Sequence, residues 1–387
     1  MSADHLPRSI RRPGDNLTAR PMLRRWLAAA TLLIVFLACG LLFSAAIDME
    51  VGWQVGLLAA MVALVPVGIV VPAFMWLDRF EAEPLGSLLF AFAWGALIAT
   101  TVALVLNTGS IIVLQSVSND AEAVASVMVA PVVEESLKGL GVLLILWFRR
   151  REFDGIVDGI VYAGLSAAGF AFAENILYFG RAFLEAGPEG LAGLFIVRGL
   201  LGPFAHPLFT MWTGVGVGVA ATRHRGLLRV VVPILGLVVA VLLHGLWNLS
   251  AVAGMQGFWA SYLLLQMPIF LGAIGVVVWA RRREARLIAE HLDIYVRHGW
   301  LSPVEVGMLT SQARRKEARR WASSGGGRRA RTAMVAFQDD ATELAFLRMR
   351  MRHGTAGPSA ALEERALLDT VTRCRGALPI AGVRSLT

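Results

Sequence analysis

An all-α, polytopic membrane protein is the fold that this sequence predicts, and three observations predict it. The 387-residue chain is 56% hydrophobic and 17% charged, its apolar residues gather into long runs, and the basic residues between the runs alternate from one side to the other. A helix needs roughly 20 predominantly apolar residues to cross the hydrocarbon core. Eight segments meet that length: 26–47, 53–76, 86–114, 124–148, 157–179, 195–221, 229–250 and 258–280.

The first run follows an N-terminal arm, residues 1–25, that carries Arg8, Arg11, Arg12, Arg20, Arg24 and Arg25. Its length and the want of a small-residue cleavage site make it an anchor rather than a removable leader. Later connections on the same side hold Arg79, then Arg149 to Arg151, then Arg223, Arg225 and Arg229. The opposite connections, 48–52, 115–123, 180–194 and 251–257, hold Arg181 alone. Cytoplasmic loops retain Lys and Arg, so both termini are expected in the cytoplasm.

After the eight-segment region, 26–280, the composition changes. Residues 281–387 hold 20 Lys and Arg against 11 Asp and Glu, a difference of +9 in a chain whose net charge is +8. This basic tail reads as a cytoplasmic extension, partly helical or disordered, that is drawn to anionic lipid headgroups. Helical patterns cover 281–298, 339–353 and the stretch after Ser359, and "SSGGGRRAR" at 323–331 reads as a connector. Cys39 and Cys374 are too far apart in sequence and setting to form a disulfide framework or a zinc knuckle. No nucleic-acid motif, repeat or phosphate loop stands out. "GVGVG" at 214–218 and Gly155, Gly159 and Gly164 serve close helix packing.

Ionisable residues inside the runs carry the functional signal, because a charge at the bilayer centre costs about 2.5–3.5 kcal/mol on insertion scales. They are few: Glu134, Glu135 and Lys138 in "PVVEESLKGL", Glu174, His206 and His244. Arg198 lies near the outer end of its run, from which it can snorkel to the interface. With alternating directions and about 1.5 Å per residue, Glu134, Glu174, His206 and His244 fall within roughly 8 Å of one depth, in the outer half of the bilayer. Glu134 and Glu135 lie four and three residues before Lys138, so either can pair with it. Adjacent residues point about 100° apart, so one glutamate is expected to face the centre and the other to pair or hydrogen-bond sideways. His244 and Asn248 share a helix face, as do Phe170, Glu174 and Tyr178. Lys138 stands out in a chain whose other lysine is Lys316. Asp154 and Asp158 suit a helix N-terminus and are read as structural.

Two chemistries suit this set. A desolvated glutamate can act as general base on water while a histidine and an amide steady an oxyanion. Alternatively, Glu and His from separate helices bind a divalent metal, zinc in the first instance, that acidifies its water. A transporter or proton relay would also group acids and histidines, but broken helices or repeated halves should accompany it. A serine protease on Ser166 would leave the carboxylates idle, and a scaffold that recruits partners through the basic tail needs none of them.

The order "EESLK", "FDGIVDGIVYAGLSAAGFAFAENILY", "PFAHPLF" and "HGLWN" over residues 125–250 resembles the PrsW family of intramembrane proteases, related to the CAAX-processing and bacteriocin-processing proteases. The resemblance implies hydrolysis of a membrane-anchored protein, such as an anti-sigma-factor-like regulator, in a bacterial plasma membrane. It implies Glu134 as the water-activating carboxylate with Glu135 beside it. Glu174 would share water activation or metal binding, His206 would be an additional ligand or acid, and His244 and Asn248 would stabilise the oxyanion. The implied metal ligands are Glu174, His206 and His244.

Overall fold

A computed structural model describes residues 22–80, 83–150, 153–222 and 226–379. All the regular structure of the described residues is helical, and they include no strand. The arm Arg8 to Arg20 and Arg151, Arg223 and Arg225 lie outside them. We label the helices α1 (Met22–Val51), α2 (Trp53–Leu77), α3 (Leu85–Leu114), α4 (Ala130–Phe148), α5 (Ile156–Phe195), α6 (Ala205–Ala221), α7 (Leu228–Val252) and α8 (Gly254–Arg297). Then follow α9 (Pro303–Leu309), α10 (Gln312–Arg352) and α11 (Ala360–Gly376).

Among the described residues, six helical stretches are long and apolar enough to cross a membrane, against the eight segments expected. The expected 157–179 and 195–221 fall in one 66-residue stretch, Ile156–Ala221. At about 1.5 Å per residue a straight helix of that length would exceed three hydrocarbon cores, so it has to turn. It breaks at Ala186 and Gly187, the latter at φ +61°, ahead of Pro188. The expected 124–148 is missing from the six because Glu134, Glu135 and Lys138 all lie within α4, leaving it less uniformly apolar.

The chain forms two compact units, Leu33–Arg283 and a second built from Glu284 onward with the N-terminal end of α1. In the first, α5 is the hub, with its side chains buried almost without interruption from Ile156 to Phe170. Its glycines let backbones meet. A Cβ on Gly159 would lie 2.0 Å from the Gly214 carbonyl oxygen, and one on Gly169 2.0 Å from that of Phe92. Gly164 similarly admits the Phe74 ring of α2, at 2.2 Å from such a Cβ. These are the small-residue contacts by which helices associate in lipid, and they fix α5 against α2, α3 and α6.

In the second unit, α10 bends sharply at Gly327 (φ +65°), a left-handed value that glycine adopts without steric cost. The expected connector is thus the corner of a helical hairpin. Arg315, 1% exposed, crosses that hairpin to Asp339 at 3.1 Å and Thr342 at 3.3 Å.

Candidate active site

The polar residues of α3 to α7 converge in the interior of the first unit. α4 supplies Glu134, Glu135 and Lys138, all buried. The Lys138 ammonium donates to Glu135 Oε1 at 2.8 Å and to Glu134 Oε2 at 3.4 Å, and lies 3.0 Å from His206 Nδ1. It also sits 4.0 Å above the Phe170 ring. One fixed cation therefore offsets two carboxylates that would otherwise be adjacent and desolvated.

The two glutamates have different surroundings. Glu135 is fully enclosed: Oε1 meets His244 Nδ1 at 2.9 Å, and Oε2 accepts from the Thr210 hydroxyl at 2.7 Å. A carboxylate on one ring nitrogen fixes the tautomer and orientation of an imidazole, which leaves His244 Nε2 directed at Glu134, 3.8 Å from its Oε2. Glu134 accepts from the Asn107 amide at 3.2 Å and retains 5% exposure. Glu134 is thus the glutamate nearer open space, and Glu135 orients His244.

Glu174 reaches the cluster from α5, its Oε2 3.0 Å from His206 Nε2. It is clasped in turn by Arg198, whose Nε donates to Asn175 Oδ1 at 2.7 Å and whose guanidinium lies 4.2 Å over the Tyr178 ring. The Phe170–Glu174–Tyr178 stripe accordingly holds a carboxylate between two aromatic faces, each carrying a cation. Arg198 is not snorkelling outward: a helix turn with wider hydrogen bonding, Ile196–Leu201, carries it onto Glu174.

Glu134, His206 and His244 each offer a ligand atom within 4.8 Å of the other two, and all three are buried. One carboxylate and two imidazoles from three helices suit a catalytic divalent ion that keeps a position open for water. Glu174, expected as a ligand, lies 3.0 Å from His206 Nε2, while the Lys138 ammonium lies 3.0 Å from Nδ1 of the same ring.

Asn248 donates at 2.8 Å to the carbonyl of Ser126, and the local backbone explains why. Residues Ala125–Val129 form a π turn in which the Ala130 N–H bonds back to Ala125. The next residue, Pro131, has no N–H, so the Ser126 carbonyl loses both of its helical donors. Asn248 replaces them and pins α7 to the π turn that leads into α4, about two turns ahead of Glu134.

Ser166 is fully buried and donates to the Lys138 carbonyl at 3.2 Å. Asp158 accepts from the Gly155 N–H at 2.8 Å at the start of α5, as a helix-terminal carboxylate should. Sequence reasoning missed Thr210, Asn107 and the role of Arg198. Thr210 was detectable, four residues after His206 on one face.

Two adjoining cavities open beside the cluster. One is lined by Asn175, Arg198, His206 and Trp247. The other, about 350 Å³, is lined mainly by apolar side chains including Leu208, Phe209, Trp247 and Phe270. Phe209 is stacked on His244 with ring centroids 5.1 Å apart, and so separates the second cavity from the cluster.

Residues 83–273 match the family described as PrsW family intramembrane metalloprotease. Protease PrsW of Geobacillus kaustophilus is 34% identical over 157 residues, 40% of this chain and 63% of that protein. Those of Clostridioides difficile and Bacillus subtilis are 26% and 29% identical over 56% and 57% of this chain, covering 87% and 94% of their own lengths. No solved structure matches. The matched region contains the whole of the Glu134, Glu174, His206 and His244 cluster, and across it the chain is similar to the PrsW family of intramembrane metalloproteases.

Proposed function

We propose that the chain is an endopeptidase that hydrolyses peptide bonds of membrane-anchored proteins at the Glu134, His206 and His244 cluster. The observation that carries this reading is the convergence of one carboxylate and two imidazoles from three helices within 4.8 Å in the buried interior. Glu134 takes the proton of the attacking water and returns it to the leaving amine. Glu135 and Thr210 hold His244 so that Nε2 faces the reacting centre. Glu174, anchored by Arg198, holds His206 at Nε2. Lys138 offsets the carboxylate charge throughout.

In the metal-dependent form of this reading Glu134, His206 and His244 would hold a divalent ion, zinc in the first instance, which when bound brings the pKa of its water toward about 7, with Glu134 a ligand in place of its general-base role. The donor set, one carboxylate oxygen and two nitrogens, supports that choice. The apolar cavity beside Phe209 suits a hydrophobic segment of a single-span substrate, an anti-sigma-factor-like regulator among the candidates. The bacterial relatives support a plasma-membrane location, and the changes of charge and hydropathy along the chain support both termini in the cytoplasm. Those changes also support a basic arm over 1–25, a protease domain over 26–280, and a basic tail over 281–387 that rests on anionic headgroups.

Cleavage of a co-expressed single-span reporter tests the proposal with Glu134→Gln, His206→Ala and His244→Ala. Loss of cleavage at unchanged protein levels is expected in all three, and unchanged cleavage in all three would refute it. Ion flux in vesicles with no proteolysis would instead favour the transporter reading.

A further inference from the structure

Asn107 belongs to none of the motifs that mark this site, yet it makes a direct side-chain contact with Glu134. It lies in α3, after the apolar Leu104, Val105 and Leu106 and ahead of Thr108 and Ser110, with Leu106 and Thr108 exposed on either side. Its Nδ2 donates at 3.2 Å to Glu134 Oε1, whereas its carbonyl Oδ1 is buried with no partner. The amide orientation follows from the contact, since the reverse would set a carbonyl oxygen against a carboxylate oxygen. An unpaired buried acceptor is unfavourable by about 1–3 kcal/mol, and more so where lipid replaces water. Packing alone would select a leucine here.

Two features aim the residue. A π turn at Trp94–Ala99 inserts one residue into α3, which rotates everything after it by about 100°. The Trp94 indole then donates at 2.9 Å to the Leu137 carbonyl, which ties α3 to the helix of Glu134. Asn107 is thereby fixed beside Oε1 while Oε2 faces His244 and Lys138.

We propose that Asn107 is a positioning residue for the hydrolytic reaction: its N–H fixes the Glu134 carboxylate, and its free carbonyl accepts a donor, N–H or O–H, that arrives with the substrate. The inference rests on Glu134 being the reacting carboxylate. A hydrogen bond to a charged group contributes about 1.5–3 kcal/mol, so Asn107→Ala should lower kcat by about 10- to 100-fold. The unfolding midpoint should stay within about 2 °C of the parent, since losing the bond is offset by removing an unpaired buried carbonyl, unfavourable by about 1–3 kcal/mol.

Asn107→Ala and Glu134→Gln are assayed together in detergent on the single-span reporter, with kcat, KM and unfolding midpoint measured for each. If Glu134→Gln abolishes cleavage and Asn107→Ala lowers kcat at an unchanged midpoint, the proposal stands. If Glu134→Gln abolishes cleavage while Asn107→Ala leaves kcat intact, or loses activity only with its folded fraction, the positioning role is overturned. If Glu134→Gln cleaves normally, the underlying reading of the site fails instead. The pair Asn107→Asp with Glu134→Gln restores a donor and an acceptor in exchanged places. It should recover the midpoint lost by Asn107→Asp without recovering cleavage, and recovered cleavage would also overturn the proposal.

Discussion

Replacing Lys138 with methionine removes the cation of α4 and leaves its volume nearly unchanged. The ammonium is fully buried and sits 2.8 Å from Glu135, 3.4 Å from Glu134 and 3.0 Å from His206 Nδ1. Breaking a buried ion pair by deleting one partner is unfavourable by about 3–5 kcal/mol, because the remaining charge is stranded. A domain of this size shifts by about 2–4 °C per kcal/mol, so the midpoint of Lys138→Met should fall by about 6–20 °C. Removing both charges is far less unfavourable than removing one. Lys138→Met combined with Glu135→Gln should therefore recover most of the loss, with a coupling energy of at least about 1 kcal/mol. Thermal unfolding of the four proteins in one detergent measures the cycle. Additive losses, or a Lys138→Met midpoint equal to the parent's, would refute the ion-pair account.

Arg198→Met should lower reporter cleavage by about 10- to 100-fold, the usual effect of losing a group that orients a ligand, and should add little to Glu174→Gln because the two act as a unit. Asn248→Ala should cost about 1 kcal/mol of stability with kcat reduced under about threefold, because its amide serves the Ser126 carbonyl; a 100-fold loss of kcat at full stability would restore it to the reaction itself. Dialysis against a chelator should abolish cleavage and zinc should restore it, and full activity in a preparation shown to hold no metal would leave Glu134 as sole activator of water. Asp78, just beyond α2, is pushed up to about 7 by burial, partly opposed by the Glu83 N–H. The folded state thus binds the extra proton between the ordinary carboxyl value and about 7, and stability falls as pH rises through that window. Asp78→Asn should raise the unfolding midpoint at pH 8 and leave it unchanged at pH 4.

Much of the site was legible because burial in lipid makes polar residues rare. Glu134, Glu135, Lys138, Glu174, His206 and His244 stand out against apolar runs, and their common depth follows from helix rise alone. The two glutamates differ in their surroundings, Glu135 being enclosed by Thr210, Lys138 and His244. What stayed hidden depends on local departures from 3.6 residues per turn. The π turns at Trp94–Ala99, Ala125–Val129 and Ile196–Leu201 precede Asn107, the α4 carboxylates and the helix of His206, and one of them carries Arg198 itself. Each shifts the later face by a residue, so uninterrupted periodicity cannot say which side Asn107 presents. The partner of Asn248 was hidden for a related reason: it shares a face with His244, and it donates to a Ser126 carbonyl that lacks helical donors because Pro131 follows a π turn. In the tail, "SSGGGRRAR" has the composition of a linker, and contacts such as those of Arg315 with Asp339 and Thr342 and of Arg319 with Gln338 reveal two helices folded on each other.

Charge balance in the cluster explains why a cation belongs there. Glu134, Glu135 and Glu174 contribute three carboxylates, and Lys138 and Arg198 contribute two fixed cations. With neutral imidazoles the set retains one negative charge in a region where an uncompensated charge is costly. Arg198 is committed to Glu174, and Lys138 is shared between Glu134 and Glu135, nearer the latter. The deficit therefore falls on Glu134, the one carboxylate of the three that also belongs to the Glu–His–His cluster. A divalent ion would change the net charge from −1 to +1, and a proton on Glu134 would bring it to zero, so the site tolerates either occupant without a stranded double charge. Deleting the Lys138 cation raises the deficit, and Lys138→Met should consequently hold zinc more tightly than the parent even though it is less stable. Metal retention through a chelator titration reads that effect apart from folding, and weaker retention by Lys138→Met would show that the ammonium organises the ligands rather than competing with the ion.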